Sequence, residues 1–197
     1  MNTSSVRRQN HGFTLVELLV VITIIMVLAS AGFAAGNAAI QKARKATALA
    51  MATALETAVN NFYTEYGSMP EDGDQDTTVR TDDVTFLNVL LGREGGGANA
   101  LNTRGLKFLD VREGKAKRNG LIYSRDGNSV EGLYDPWGGV FNVMLDLNYD
   151  EKLENVKPKG QTESVTLNGR RVAVWSDGAD GVTKPGKPGD DVKTWGP

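Results

Sequence analysis

The sequence predicts an α+β protein: a long N-terminal α-helix, with a membrane-spanning first half, packed on a small antiparallel β-sheet domain with irregular loops. Three observations predict it. From Leu18 to Gln41 the chain contains no Asp, Glu, Lys or Arg. Residues 46–66 then stay rich in Ala and Leu, strong helix formers, with Leu55, Val59, Phe62 and Tyr66 on one helical face. Beyond Gly67 the pattern changes to short apolar runs between turn signals.

The first observation fixes the N-terminal element. A bilayer-crossing helix needs roughly 20 mostly apolar residues, and the uncharged run is long enough. Its first part, Leu18 to Leu28, is dense in Leu, Val and Ile, while Ala29 to Ile40 is richer in Ala and Gly. Lys42, Arg44 and Lys45 close it. Residues 1–45 carry Arg7, Arg8 and these three bases against Glu17 alone, whereas the whole chain has a net charge of −2. A basic, apolar end and an acidic remainder suit a membrane end and a water-exposed end.

A cleaved secretory signal would have Arg7 and Arg8 as its basic region, but such apolar cores run about 7–15 residues. A plain anchor has no use for Glu17, because an acid at the start of an apolar helix is costly in lipid and tends to be paired and functional. A buried core helix does not fit this length and apolarity. The flanking residues read His11-Gly12-Phe13-Thr14-Leu15-Val16-Glu17. This resembles the processing motif of type IV prepilins and type II secretion pseudopilins. The resemblance implies cleavage by a prepilin peptidase between Gly12 and Phe13, N-methylation of Phe13, and an assembly role for Glu17. Cleavage would expose an amine on Phe13 near the Glu17 carboxylate. Pairing of the two within or between copies would favour the correct axial stagger, since an unpaired charge in a low-dielectric bundle is costly.

The helix is expected to continue through Tyr66, with Gly67 as its stop and Pro70 beyond. Gly32 and Gly36 permit close helix approach, but equally read as two neutral small residues. The resulting division is a leader over 1–12, a membrane and filament-core helix over 13–41, an amphipathic continuation over 42–66, and a periplasmic globular domain over 67–197. The pilin family shares this architecture.

Within the globular part, residues 67–83 read as a polar loop. Asp82 and Asp83 are placed to cap a short helix over Val84–Leu91. Gly95-Gly96-Gly97 lacks the strand and lysine of a phosphate cradle and reads as a loop. Leu106–Val111 reads as extended or mixed. Lys115, Lys117 and Arg118 are too few for a nucleic-acid face, and no nucleic-acid partner is expected. Leu121–Ser124, Val140–Leu145 and Arg171–Trp175 are strand candidates. Asp135-Pro136-Trp137-Gly138 resembles a turn of the major pseudopilins. Asp146, Asn148 and Asp150 alternate like the opening of a calcium loop, but Glu151 and Lys157 stand where that loop needs glycine and glutamate. A polar hairpin is the expected outcome there.

The C-terminal segment Ser176–Asp191 is rich in acids and glycines, and the chain has no cysteine to pin it. Calcium takes about 6–8 oxygen ligands in flexible geometry. The segment resembles the calcium-binding loop of major pseudopilins, which implies Asp180, Asp190 and Asp191 as calcium ligands, with Asp177 a weaker candidate. The resemblance covers residues 11–66 and roughly 134–195.

The chain has a single histidine, His11, which precedes the expected cut. The mature form would lack the commonest general base and metal ligand, so no catalytic residue is assigned and no enzyme is expected. The resemblance implies a structural subunit of a type II secretion pseudopilus. Its partners would be further copies in a helical filament, prepilin peptidase, other pseudopilins and an inner-membrane assembly platform. The alternative is a type IV pilin for adhesion, motility or DNA uptake. A membrane-anchored enzyme with a carboxylate site is a remote third.

Overall fold

A computed structural model describes residues 13–97, 99–181 and 191–196. The chain divides into two compact units, residues 1–40 and 41–197. Helix α1, Leu15–Tyr66, begins in the first and ends in the second. The remaining elements follow in the order β1 (Thr77–Arg80), α2 (Val84–Leu91), β2 (Gly120–Tyr123), β3 (Val130–Tyr134), β4 (Phe141–Leu145), β5 (Lys152–Val156), β6 (Val165–Asn168), β7 (Val172–Ser176) and β8 (Val192–Lys193). This is the α+β fold expected from the sequence.

In the first unit α1 exposes its large apolar residues; Leu15 and Leu28 are 79% and 67% accessible. Its hydroxyls are satisfied locally: Thr23 donates to the Leu19 carbonyl and Ser30 to that of Val27, each at 2.8 Å. That removes the cost of a bare polar group in an apolar medium. Among the described residues α1 is the one helix long and apolar enough to cross a membrane.

In the second unit α1 supplies a buried stripe, Ala48, Met51, Ala52, Leu55, Ala58, Val59 and Phe62. The spacing of three and four keeps these side chains on one face. They join Phe86, Leu87 and Leu90 of α2, Leu121, Leu133, and Phe141, Val143, Leu145 and Val174 of the sheet in one core. The helix stops at Gly67, whose φ of 69° is the left-handed conformation that glycine adopts without strain.

The predicted single small sheet is divided into a four-stranded antiparallel sheet, ordered β1-β4-β7-β8, and the hairpins β2–β3 and β5–β6. Strand β1 lies in the segment read as polar loop. Val79 is its one buried side chain, and it stands opposite Val143 of the central strand β4. Asp83 caps α2 as predicted, accepting from the Thr85 amide at 2.9 Å.

The segment between α2 and β2 is held by side chains rather than by regular structure. Asn102 is buried. Its amide donates to the Val89 and Leu106 carbonyls at 2.7 Å each, and its oxygen accepts from the Tyr66 hydroxyl at 2.7 Å and the Leu106 amide at 2.9 Å. Glu94 accepts from the amides of Leu101 and Asn102 at 2.9 and 2.8 Å. Leu106–Val111 carries no strand; Phe108 and Leu109 instead donate to the Leu90 carbonyl.

Candidate functional site

The first candidate site is the start of α1. The Glu17 carboxylate accepts from the Thr14 amide at 2.9 Å and the Thr14 hydroxyl at 2.8 Å. The Glu17 amide donates back to the Thr14 hydroxyl at 3.2 Å. This is a capping box, in which a hydroxyl at the N-cap and a glutamate three residues on satisfy each other's backbone donors. The T-x-x-E spacing within the processing motif carries the signal, although the sequence reading assigned Glu17 to assembly alone. An uncleaved chain has no amine at Phe13, so the acid caps its own helix. The predicted cut is flanked by Phe13, 75% exposed, and by Gly12, which lies outside the described residues.

The second candidate site is the acidic C-terminal loop with the turn beside it. Asp135 is fully buried. One oxygen accepts from the amides of Trp137, Gly138 and Gly139, each at 2.8 Å. The other accepts from the Ser176 hydroxyl at 2.6 Å. Ser176 in turn accepts from the Gly178 amide at 3.2 Å. A Cβ on Gly139 would lie 2.8 Å from the Asp135 carboxylate, and Gly138 has a φ of 102°. Both glycines are therefore required by the turn that Asp135 organises.

Ser176 ends β7, and the loop returns as β8, with Ser176 opposite Val192 and Trp175 opposite Lys193. The two features read separately from the sequence, the Asp-Pro-Trp-Gly turn and the acidic loop, thus meet at one buried hydrogen bond. Asp177 and Asp191 lie in the described loop ends and Asp180 is exposed. Asp190 lies outside the described residues. Among the described residues, no three His, Cys, Asp or Glu side chains gather into a group able to hold a metal.

The alternation at Asp146 to Asp150 forms a turn. Asp146, buried, accepts from the amides of Asp150 and Glu151 at 3.2 and 2.9 Å. Asn148 accepts from Asp150 and Asp150 from Lys152. The left-handed φ angles of Tyr149 and Glu151 close it. Beside it, Asp76 accepts from the Glu154 amide at 3.4 Å through one oxygen, while the other is buried without a partner. Desolvation pushes the Asp76 carboxyl above its ordinary range, reinforced by Asp146 and Asp150 and opposed by the backbone donors Glu154 and Leu147.

No curated protein and no solved structure matches the chain. Residues 7–33 match the family model of the prokaryotic N-terminal methylation motif. The capped helix start and the exposed apolar helix thus fall within that motif, and the chain carries the signature of type IV pilin-like and pseudopilin proteins.

Proposed function

We propose that this chain is a structural subunit of a type II secretion pseudopilus. Prepilin peptidase cuts between Gly12 and Phe13 and Phe13 is N-methylated. The subunit then sits in the inner membrane by residues 13–41, with its globular unit in the periplasm, until it is extracted into a helical filament with further copies and other pseudopilins. It performs no chemistry of its own. The observation that carries the secretion reading is the Asp135–Ser176 bond, which builds the Asp-Pro-Trp-Gly turn and the acidic loop into one structure. Support for the processing step comes from the motif match over residues 7–33.

Calcium is the proposed cofactor, held by Asp180, Asp190 and Asp191. Their carboxylates are hard oxygen donors of the kind calcium selects, and the β7–β8 pairing anchors both ends of their loop. Bound calcium would neutralise the acids and tie the tail to the fold.

Deletion of the gene in its host tests the assignment. Exported proteins are expected to accumulate in the periplasm while surface fibres persist. Normal export with loss of surface fibres would instead establish a type IV pilus.

A further inference from the structure

The globular unit carries one basic turn, at residues 112–119.

 Arg112 to Asn119 fold back on themselves, with Lys115 and Arg118 exchanging backbone hydrogen bonds at 3.1 Å each and left-handed φ angles at Ala116, Lys117 and Asn119. This presents Lys115, Lys117 and Arg118, all exposed, at one tip. The tip rests on the Asp-Pro-Trp-Gly turn: a Cβ on Gly138 would lie 3.3 Å from the Lys117 carbonyl oxygen and 3.4 Å from Arg118 Cγ. The residue before Gly138 in that turn, Trp137, donates from Nε1 to the Gln41 side chain at 3.4 Å. Gln41 is the residue at which the uncharged run ends, and Lys42, Arg44 and Lys45 follow it, exposed.

Two basic segments remote in sequence therefore share one end of the globular unit, with a half-buried tryptophan between them. While the run before Gln41 spans a bilayer, whatever touches Gln41 lies at headgroup depth. Tryptophan concentrates at that depth, where one part of its ring system is apolar and its N–H meets polar groups. Lysine and arginine there are attracted to anionic lipid, and their apolar stems lie along the interface. Of the acids at this end, Glu113 lies exposed within the turn itself, and two others are engaged elsewhere. Asp82, whose field reaches Lys117, is held by two bonds of 3.0 Å from Arg80, and Asp135 is buried among its four donors.

We infer that the turn Arg112–Asn119, together with Trp137 and Lys42–Lys45, is a membrane-contacting platform that holds the globular unit against anionic phospholipid headgroups before extraction. It rests on the reading of residues 13–41 as the membrane span. Release from the membrane would then require breaking these lipid contacts as well as withdrawing the helix.

The chain has no cysteine, so single cysteines report one position each. The full-length protein is reconstituted into phosphatidylglycerol-containing or all-phosphatidylcholine vesicles with a spin label at Ala116→Cys or, separately, Ser30→Cys. Depth is read against a relaxant fixed to lipid headgroups and one dissolved in water. The Ala116 label is expected at headgroup depth in the anionic vesicles. It should shift into water in phosphatidylcholine, at high salt, or when Lys115→Gln, Lys117→Gln and Arg118→Gln are combined with an unchanged thermal transition. An Ala116 label in water in both vesicle types, with the Ser30 label immersed, would overturn the inference and leave the span intact. A Ser30 label in water would overturn the span itself. Protection of Ala116 that needs a second copy rather than anionic lipid would also overturn the inference, making the tip a subunit contact.

Discussion

Asp135 and Asn102 are buried polar side chains that each make four hydrogen bonds, and Asp135 is the one that organises a turn. Its carboxylate takes three backbone amides and one hydroxyl in a buried setting, and each buried donor left without a partner costs about 1–3 kcal/mol. Asp135→Ala is therefore expected to prevent stable folding, whereas Ser176→Ala should cost about 1–2 kcal/mol; denaturant unfolding measures both. Glu17 has two tasks on this account. It caps α1 through Thr14, and under the proposed processing it would also meet the new amine of Phe13. Glu17→Ala should leave processing intact, loosen the first turn of α1 by removing half of the capping box, and abolish filament assembly, read as mature subunits that stay in the membrane fraction. Asp76 gives a pH test. Its folded carboxyl is raised from the ordinary 3.8, chiefly by desolvation, so the fold favours its protonated form. The stability this contributes is fully present below that value and is lost as pH rises through the folded pKa. Asp76→Asn should raise Tm at neutral pH, with the gain vanishing below the ordinary value; a lower Tm at neutral pH would contradict the desolvation argument.

At the scale of elements, α1 uses one helical geometry for two environments. Its second half buries Leu55, Val59 and Phe62 completely, so Phe62→Ala should cost about 3–5 kcal/mol in equilibrium unfolding, while Leu28→Ala, on the exposed apolar stretch, should leave the globular unit's unfolding unchanged. Much of this was legible in the sequence because helices announce themselves by local spacing: the stripe, the Gly67 stop and the Asp83 cap all depend on residues within a few positions of each other. Strands β4 and β7 were legible as apolar runs flanked by turns. Strand β1 was not, because Thr77–Arg80 buries only Val79 and is a strand by virtue of its pairing with β4, a partner more than sixty residues away in the chain. The β5–β6 hairpin was hidden for the same reason: the burial of Leu153 and Val156 beneath Trp175 is a tertiary fact. Asn102 could not be singled out either. An asparagine in a loop is ordinary, and only the folded chain shows its four hydrogen bonds.

For the whole molecule, charge and apolarity are laid out along the chain in the order its proposed life requires. The processing motif comes first, then an apolar helix with its hydroxyls satisfied, then a basic collar, then a globular unit whose C-terminal loop is clamped by Asp135. The N-terminal motif was legible because Gly12, Phe13, Thr14 and Glu17 stand within six consecutive positions of the matched stretch. The link between the Asp-Pro-Trp-Gly turn and the acidic loop was not, since Asp135 and Ser176 meet only through β4 and β7. The most direct test of the central claim is the intact mass of the chain extracted from membranes of a host with an active prepilin peptidase. The account predicts a chain beginning at Phe13 and carrying one added methyl group, and the precursor mass when the peptidase is inactive. A chain still beginning at Met1, or one cut after the apolar run as a secretory signal would be, would contradict it.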